Sequence, residues 1–219
     1  SMALCKTLKK KPFVICPKSV IPTWMHVAKY FKLELFGIAN YELLKGCKYY
    51  TCNFEKAECP YMDKIIHIVK SKQKIKGVMV NVEKKVCDYR FQLPNDTMVI
   101  FDEAHRCKNH KTTTSKLLHS IKNTNCKILL LSATICDKIN CFKPFGVVFG
   151  LYKDNKKYLA WIRRQLRMNK IKYDQMTKNT NVTMSSDERK LHIIHSTIFP
   201  TLGSRMKISE LGDLFPKNN

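Results

Sequence analysis

Apolar residues along this chain fall in short runs separated by polar punctuation. The first run is Phe13-Val14-Ile15-Cys16, preceded by Lys9-Lys10-Lys11 and closed by Pro17. A short apolar, β-branched run bounded by polar and turn residues predicts a buried strand. The period then changes. Trp24, Val27, Ala28 and Phe31 recur at helical spacing, with Pro22 where the first turn would lie, so a helix is predicted over 21–30. Leu33 to Ile38 reads as a second strand and Asn40 to Leu44 as the start of another helix. Residues 45–95 are less regular, with a helix predicted over 64–74 and a strand over 77–82. Thr97 to Phe101 is a buried strand run leading into Asp102-Glu103. Residues 112–122 read as a helix whose apolar stripe is Leu117, Leu118 and Ile121. Lys127 to Leu131 is a further buried strand, ended by Ser132-Ala133-Thr134.

Strands alternating with helices imply βαβ units, and hence an α/β domain built on a parallel sheet flanked by helices. In such sheets function collects at the carboxyl ends of the strands. The two strongest motifs, after Phe101 and after Leu131, lie at such ends. From residue 151 the texture changes. Lys153, Lys156, Lys157, Arg163, Arg164, Arg167, Lys170 and Lys172 cluster with Tyr152, Tyr158, Trp161 and Tyr173. The cluster fits either a basic helical face backed by aromatics or a peripheral helix packed on the sheet with its cations solvated. The expected organisation is one lobe over 1–150, with an irregular insertion at about 45–95, and a basic, partly helical extension over 151–219.

Charge narrows the partners. Forty Lys and Arg stand against 17 Asp and Glu, a formal net charge of +23 over 219 residues. Such an excess favours a polyanion, bound with release of counterions. The lysines are scattered, so general solvation by a lysine-rich composition is the competing explanation. No apolar run approaches the ~20 residues of a membrane span, and no segment pairs a basic face with a strong apolar one, so no membrane partner is expected. The ten cysteines include no C-x-x-C pair. Cys16 and Cys126 sit in apolar runs, where cysteine acts as a small buried hydrophobe. Cys47, Cys52, Cys59 and Cys87 could form a zinc site in the insertion, though their spacing is not that of standard ligand pairs. Free thiols are the main expectation.

Phe101-Asp102-Glu103-Ala104-His105-Arg106 carries the most chemistry. An apolar strand that delivers two adjacent carboxylates to its end suits a Mg²⁺–nucleotide enzyme. One carboxylate can hold the metal directly or through water, because Mg²⁺ takes hard oxygen ligands. The neighbour can polarise the water that attacks a γ-phosphate. Ser132 follows Glu103 by 29 residues, and the small hydroxyls of Ser132 and Thr134 could hydrogen-bond the carboxylate segment. Taken alone, Ser132-Ala133-Thr134 is a strand followed by a Ser/Thr turn.

Together these segments resemble the first RecA-like lobe of superfamily 2 helicases and translocases, and more narrowly the Swi/Snf-type DNA-dependent ATPases, with a viral or phage-like flavour. Val14 to Trp24, with its Cys16-Pro17-Lys18-Ser19 core, resembles motif Ia, and Asn40-Tyr41-Glu42 resembles motif Ib. Asp102 to Asn109 resembles motif II and Leu131 to Thr134 motif III. The stretch from Phe199-Pro200 to Phe215-Pro216 resembles the lobe ends of viral members. The resemblance implies a three-layer α/β/α RecA-like fold and ATP with Mg²⁺ as cofactors. Asp102 would take the Mg²⁺ site and Glu103 would activate water. His105 would couple the nucleotide to the domain interface, and Ser132, Ala133 and Thr134 would link hydrolysis to movement. Lys18, Ser19, Asn40 and Tyr41 would lie along a nucleic-acid backbone, with Lys108 and Asn109 added to that set. The implied partners are duplex DNA, with RNA as the alternative, and a second RecA-like lobe.

The family's G-x-x-x-x-G-K-[ST] string is not found in these residues; none of the seven glycines precedes Lys-Ser or Lys-Thr. The resemblance places that string just ahead of Met2 to Leu8, so the chain is expected to begin beyond it and, by itself, to turn over ATP negligibly. The expected function is an N-terminal motor-lobe fragment of an ATP-dependent DNA helicase or translocase. The competing expectation is a non-catalytic nucleic-acid-binding module that retains the helicase fold. With no targeting segment, an intracellular setting is expected: cytoplasm, viral factory or nucleus.

Overall fold

A computed structural model describes residues 1–75, 77–170, 173–175, 184–199 and 201–204. These residues form two compact units, Ser1–Asp137 and Lys138–Asn219. Lys172, Pro200 and the Phe215-Pro216 segment lie outside the described residues.

The first unit is an α/β RecA-like layered fold. Its elements are α1 (Met2–Thr7), β1 (Lys11–Cys16), α2 (Ile21–Tyr30), β2 (Gly37–Asn40), α3 (Tyr41–Lys45), β3 (Lys48–Tyr50), β4 (Lys56–Glu58), β5 (Met62–Ile75), β6 (Val78–Phe91), β7 (Thr97–Phe101), α4 (Thr113–Lys122) and β8 (Lys127–Leu130). Six strands form one sheet in the order β4-β3-β2-β1-β7-β8. The four strands β2, β1, β7 and β8 are parallel, and β3 and β4 join antiparallel at one edge. The sheet is therefore mixed rather than wholly parallel. β1 and β7 are central, buried on both faces, and read as unbroken apolar runs for that reason. On one face Val14, Cys16, Ile38, Met98 and Ile100 pack with Met2 and Cys5 of α1 and Ile21 and Ala28 of α2. Alternation sends Phe13, Ile15, Val99 and Phe101 to the other face, where Tyr41 of α3 meets Phe101.

The second strand begins later than the hydrophobic pattern predicts. Leu33 and Leu35 pack into the helical layer instead of pairing. Pairing with β1 starts where the Phe36 N–H donates to the Pro12 carbonyl, because Pro12 offers no N–H of its own. Gly37 then fits between the stacked Phe13 and Tyr49 rings, where a Cβ would come within 2.7 Å of Tyr49.

The helix expected over 64–74 is instead a strand. β5 and β6 pair in unbroken antiparallel register from Met62↔Phe91 to Ile75↔Val78, turning at Gly77 with φ +88°. The β-branched Ile65, Ile66, Ile68 and Val69 favour this geometry, and the facing strand supplies Val80, Val82 and Val86. The base of the hairpin is fixed by buried Met62, Tyr89 and Phe91 and by Lys116 of α4, which donates to the Cys87 carbonyl and to Asp88. The arms beyond are largely in solvent.

The second unit contains α5 (Lys143–Val148), α6 (Tyr158–Met168) and α7 (Ser186–Ile198). Phe142, Tyr152, Tyr158 and Trp161 form its aromatic centre. Tyr158 and Ile162 bury one side of α6 while Arg163, Arg164 and Arg167 stay exposed. Ser185 and Glu188 close a capping box on α7.

Candidate functional site

The register of the parallel strands assembles the site. Cys16 lies opposite Asn40, Ile15 opposite Phe101, and Phe101 opposite Leu130. The segments that follow these strands therefore emerge together at the carboxyl end of the parallel strands: Pro17-Lys18-Ser19, Tyr41-Glu42, Asp102-Glu103 and Leu131 to Thr134. Backbone bonds tie three of them together. Asp102 N–H donates to Ile15, Ala104 N–H to Leu131 and Leu131 N–H to Phe101, each at 2.8 Å.

Asp102 is held by three neighbours. Trp24 Nε1–H donates to its Oδ2 at 2.8 Å, and the Glu103 N–H to its Oδ1 at 3.0 Å. Tyr41 Oη donates to its backbone carbonyl at 2.6 Å. Glu103 adopts a left-handed backbone, φ 53° and ψ 48°, a conformation unusual for a side chain of its size. Its Oε2 accepts from His105 Nδ1 at 3.0 Å. With the proton on Nδ1, the same N–H reaches Ser132 Oγ at 3.4 Å. Ser132 in turn donates to the Thr134 carbonyl and accepts from the Thr134 N–H. A polar chain thus runs from Glu103 through His105 to Ser132 and Thr134, using the Thr134 backbone rather than its hydroxyl. Ala133 is exposed in the same turn.

The donor set suits a hydrated divalent cation shared with phosphate. Each Asp102 oxygen accepts one hydrogen bond and keeps a second lone pair. No group of three or more His, Cys, Asp or Glu side chains that could hold a metal ion converges among the described residues, at this site or elsewhere. An all-protein cage is not needed for Mg²⁺, which one or two carboxylates plus phosphates suffice to hold.

Beside the carboxylates, a cleft of about 1020 Å³ opens over the ends of β1 and β2. Lys18, Ser19, Asn40 and Tyr41 all line it. Lys18 and Ser19 present exposed side chains. Asn40 is committed to structure, its Oδ1 accepting the Leu43 N–H as the cap of α3. The Tyr41 side chain is 2% exposed, and burial pushes its hydroxyl pKa well up, with neighbouring Cys107 and Asp102 adding to the shift. Two further lining residues, Tyr50 and Lys56, have no motif to mark them, and Arg106, inside the segment resembling motif II, lines the cleft as well. Arg106 covers the Tyr41 ring at 5.6 Å. Lys108 and Asn109 do not line this cleft. Lys108 pairs with Asp137 at 3.0 Å, and Asn109 shapes the turn into α4 by accepting from Lys111 and Thr112.

None of the ten cysteines is joined in a disulfide, and Cys47, Cys52, Cys59 and Cys87 do not form a metal cluster. Cys52 sits exposed in the β3–β4 turn while Cys59 is buried. Burial raises the thiols of Cys16 and Cys107 to about 12 and that of Cys59 to about 11. Among the described residues no helix is long and apolar enough to cross a membrane.

No family model matches the chain, and no solved structure matches it. Among curated proteins it is similar to one of Acanthamoeba polyphaga mimivirus that bears the name "Putative ATP-dependent RNA helicase L364". The two are 30% identical over 227 aligned positions, which take in 99% of this chain and 39% of the mimivirus protein. The chain thus spans well under half the length of that relative.

Proposed function

We propose that this chain is a motor lobe of a nucleic-acid-dependent ATPase of the helicase or translocase type. The observation that carries the reading is the convergence, at the carboxyl ends of the parallel strands, of a basic cleft with the Asp102-Glu103 pair, joined through Tyr41. In this reading Asp102 holds Mg²⁺ and Glu103 orients the attacking water. ATP, when bound, supplies the phosphoanhydride whose cleavage drives movement. His105, Ser132 and Thr134 relay the state of Glu103 along the end of β8. Lys18 and Ser19 bind phosphates of the nucleic-acid backbone, which positions a strand without reading its sequence. The mimivirus relative and the net charge of +23 support the reading. The family resemblance points to duplex DNA as the track, and the relative's name points to RNA. Partnership with a second RecA-like lobe belongs to the same proposal.

Binding by this chain is the first test. Fluorescence anisotropy with labelled duplex DNA, duplex RNA and single strands should give affinities that fall steeply with salt. Lys18→Ala should lower the log–log salt slope by about 1 without changing sequence preference. Salt-insensitive binding, or none, refutes the reading. In a longer protein containing this lobe, Glu103→Gln should abolish nucleic-acid-stimulated ATP turnover while leaving nucleic-acid binding intact. The absence of a Gly-Lys-[Ser/Thr] string from these residues favours a second reading, a binding module without catalysis. That reading predicts strand binding but no turnover in any longer form.

A further inference from the structure

The β3–β4 turn carries a feature that the motor reading does not use. Thr51 N–H donates to the Glu55 carbonyl at 3.0 Å, leaving Cys52, Asn53 and Phe54 as a three-residue loop. The last position of such a loop lies in the left-handed region and is ordinarily glycine. Here it is Phe54, at φ 62°, a conformation that strains a bulky side chain. The turn holds the Phe54 ring against Tyr50, with centroids 4.7 Å apart and planes 18° from parallel. Phe54 is nevertheless 47% exposed, as a ring with one unclaimed face must be. Core packing does not account for it.

The surroundings give the ring a partner. Tyr50, on which Phe54 stacks, lines the cleft, and so does Lys56, two residues further along. Lys18 and Arg106 line the same cleft, and all three cations have exposed side chains. The acidic lining residue, Glu42, is engaged by Lys45 at 2.7 Å. A cationic groove beside an open aromatic face is the combination that binds single-stranded nucleic acid. Phosphates follow the cations, and a base stacks on the ring whatever its identity. A base inside a duplex has both faces covered and cannot use such a ring.

We propose that Phe54, propped by Tyr50, is a stacking platform for an unpaired nucleobase of a strand whose phosphates lie in the adjacent cleft. The proposal rests on the reading of the cleft as a nucleic-acid site and adds to it a preference for single-stranded or unpaired segments. The left-handed turn is the device that keeps the ring upright beside the groove.

Three labelled probes separate the possibilities: an oligothymidylate, a strand of the same length built of abasic sites, and a blunt duplex. The wild-type chain should bind oligothymidylate more tightly than the abasic strand. Phe54→Leu keeps apolar bulk but removes the ring. It should weaken oligothymidylate binding by about 5- to 150-fold, the range that stacking one base supplies, and leave the abasic strand and the duplex unchanged. Phe54→Trp should retain or improve oligothymidylate binding, which a merely structural role would not require. Matched thermal unfolding of the variants excludes misfolding as the cause. If Lys18→Ala weakens all three probes while Phe54→Leu weakens none, the cleft reading stands and the platform is overturned. If the wild-type chain binds no probe, both fall.

Discussion

Glu103 is the position where strain and proposed chemistry coincide, and it supports a quantitative test. Its left-handed backbone, φ 53° and ψ 48°, costs a residue with a Cβ about 1–2 kcal/mol. Glycine adopts that conformation freely but brings an entropic penalty of about 0.5–1 kcal/mol relative to alanine. Glu103→Ala and Glu103→Gly lose the same carboxylate and the same pairing with His105. That pairing joins side chains 44% and 38% exposed, so it is worth little and cancels in the comparison. Relief of strain minus the entropy of glycine leaves the Glu103→Gly variant more stable than the Glu103→Ala variant by roughly 0.8 kcal/mol at the middle of these ranges, the reverse of the usual order. Trp24, hydrogen-bonded to Asp102, is a local reporter. Urea unfolding followed by its fluorescence in a Trp161→Phe background should show the difference as a higher midpoint with unchanged slope. If the alanine variant equals or exceeds the glycine variant in stability, the backbone at position 103 is not strained and the argument fails. If the order holds, the chain retains a destabilising glutamate where only the carboxylate justifies it.

Three further outcomes are expected. Cys16 and Cys107, raised by burial from 9.0 to about 12, stay protonated in the folded chain after their unfolded counterparts ionise. Stability is therefore unaffected by them below pH 9 and falls above it, through about pH 12, by about 1.4 kcal/mol per pH unit per thiol; Cys107→Ala should flatten the alkaline limb of a stability–pH curve measured by urea unfolding. The β5–β6 arms keep Ile66, Ile68 and Met79 at about 60% exposure. Joining residues 66 and 87 through a short Asn-Gly turn should therefore change unit stability by no more than about 0.5 kcal/mol, and a large loss of thermal stability would mean the arms are buried against something. Tyr41→Phe removes the 2.6 Å bond to the partly buried Asp102 carbonyl and should cost about 1 kcal/mol, the net worth of a hydrogen bond. Because the ring is buried, nucleic-acid affinity should hold. An affinity loss without a stability loss would make Tyr41 a direct contact.

The central strands are legible in the sequence because burial on both faces writes itself as continuous apolar runs: Phe13 to Cys16 and Thr97 to Phe101 sit where the pattern predicts them. The helices over 21–30 and 113–122 are legible for the same reason in another period. The insertion is not. Lys64 to Lys74 carries apolar residues at positions that fit a helix or a strand, and what decides between them is the partner strand 78–91, which no local window contains. The start of β2 is displaced from its expected place because Leu33 and Leu35 satisfy a helical layer rather than a ladder. In the site, motifs mark their residues but not the division of labour among them. Asn40 caps a helix, Lys108 pairs with Asp137, and Asn109 builds a turn, roles set by neighbours in space. Lys56 and Tyr50 complete the cleft without belonging to any spacing pattern, and Arg106 joins them from a motif whose pattern marks the carboxylates rather than the cation. Phe54 has no signal at all, since a left-handed phenylalanine looks like any loop aromatic until its φ is known.

Two polar routes leave the carboxylate pair, and they leave in different directions. One runs from the Asp102 carbonyl through Tyr41 to the cleft, where Arg106 covers the same ring. The other runs from the Glu103 carboxylate through His105 and Ser132 to the Thr134 backbone at the end of β8. Asp102 and Glu103 are consecutive, and the Glu103 N–H donates to the Asp102 carboxylate, so a shift in either route must pass through a single peptide. That peptide is also where the backbone is left-handed. Backbone strain of this kind clusters at active sites and switch regions. In the proposed reading, a group in the cleft and a group at the carboxylates would both act on that one peptide. If the chain acts as the proposed motor lobe, this peptide is where track and fuel would sense each other, because coupling between sites is no more than a shared equilibrium that both ligands shift.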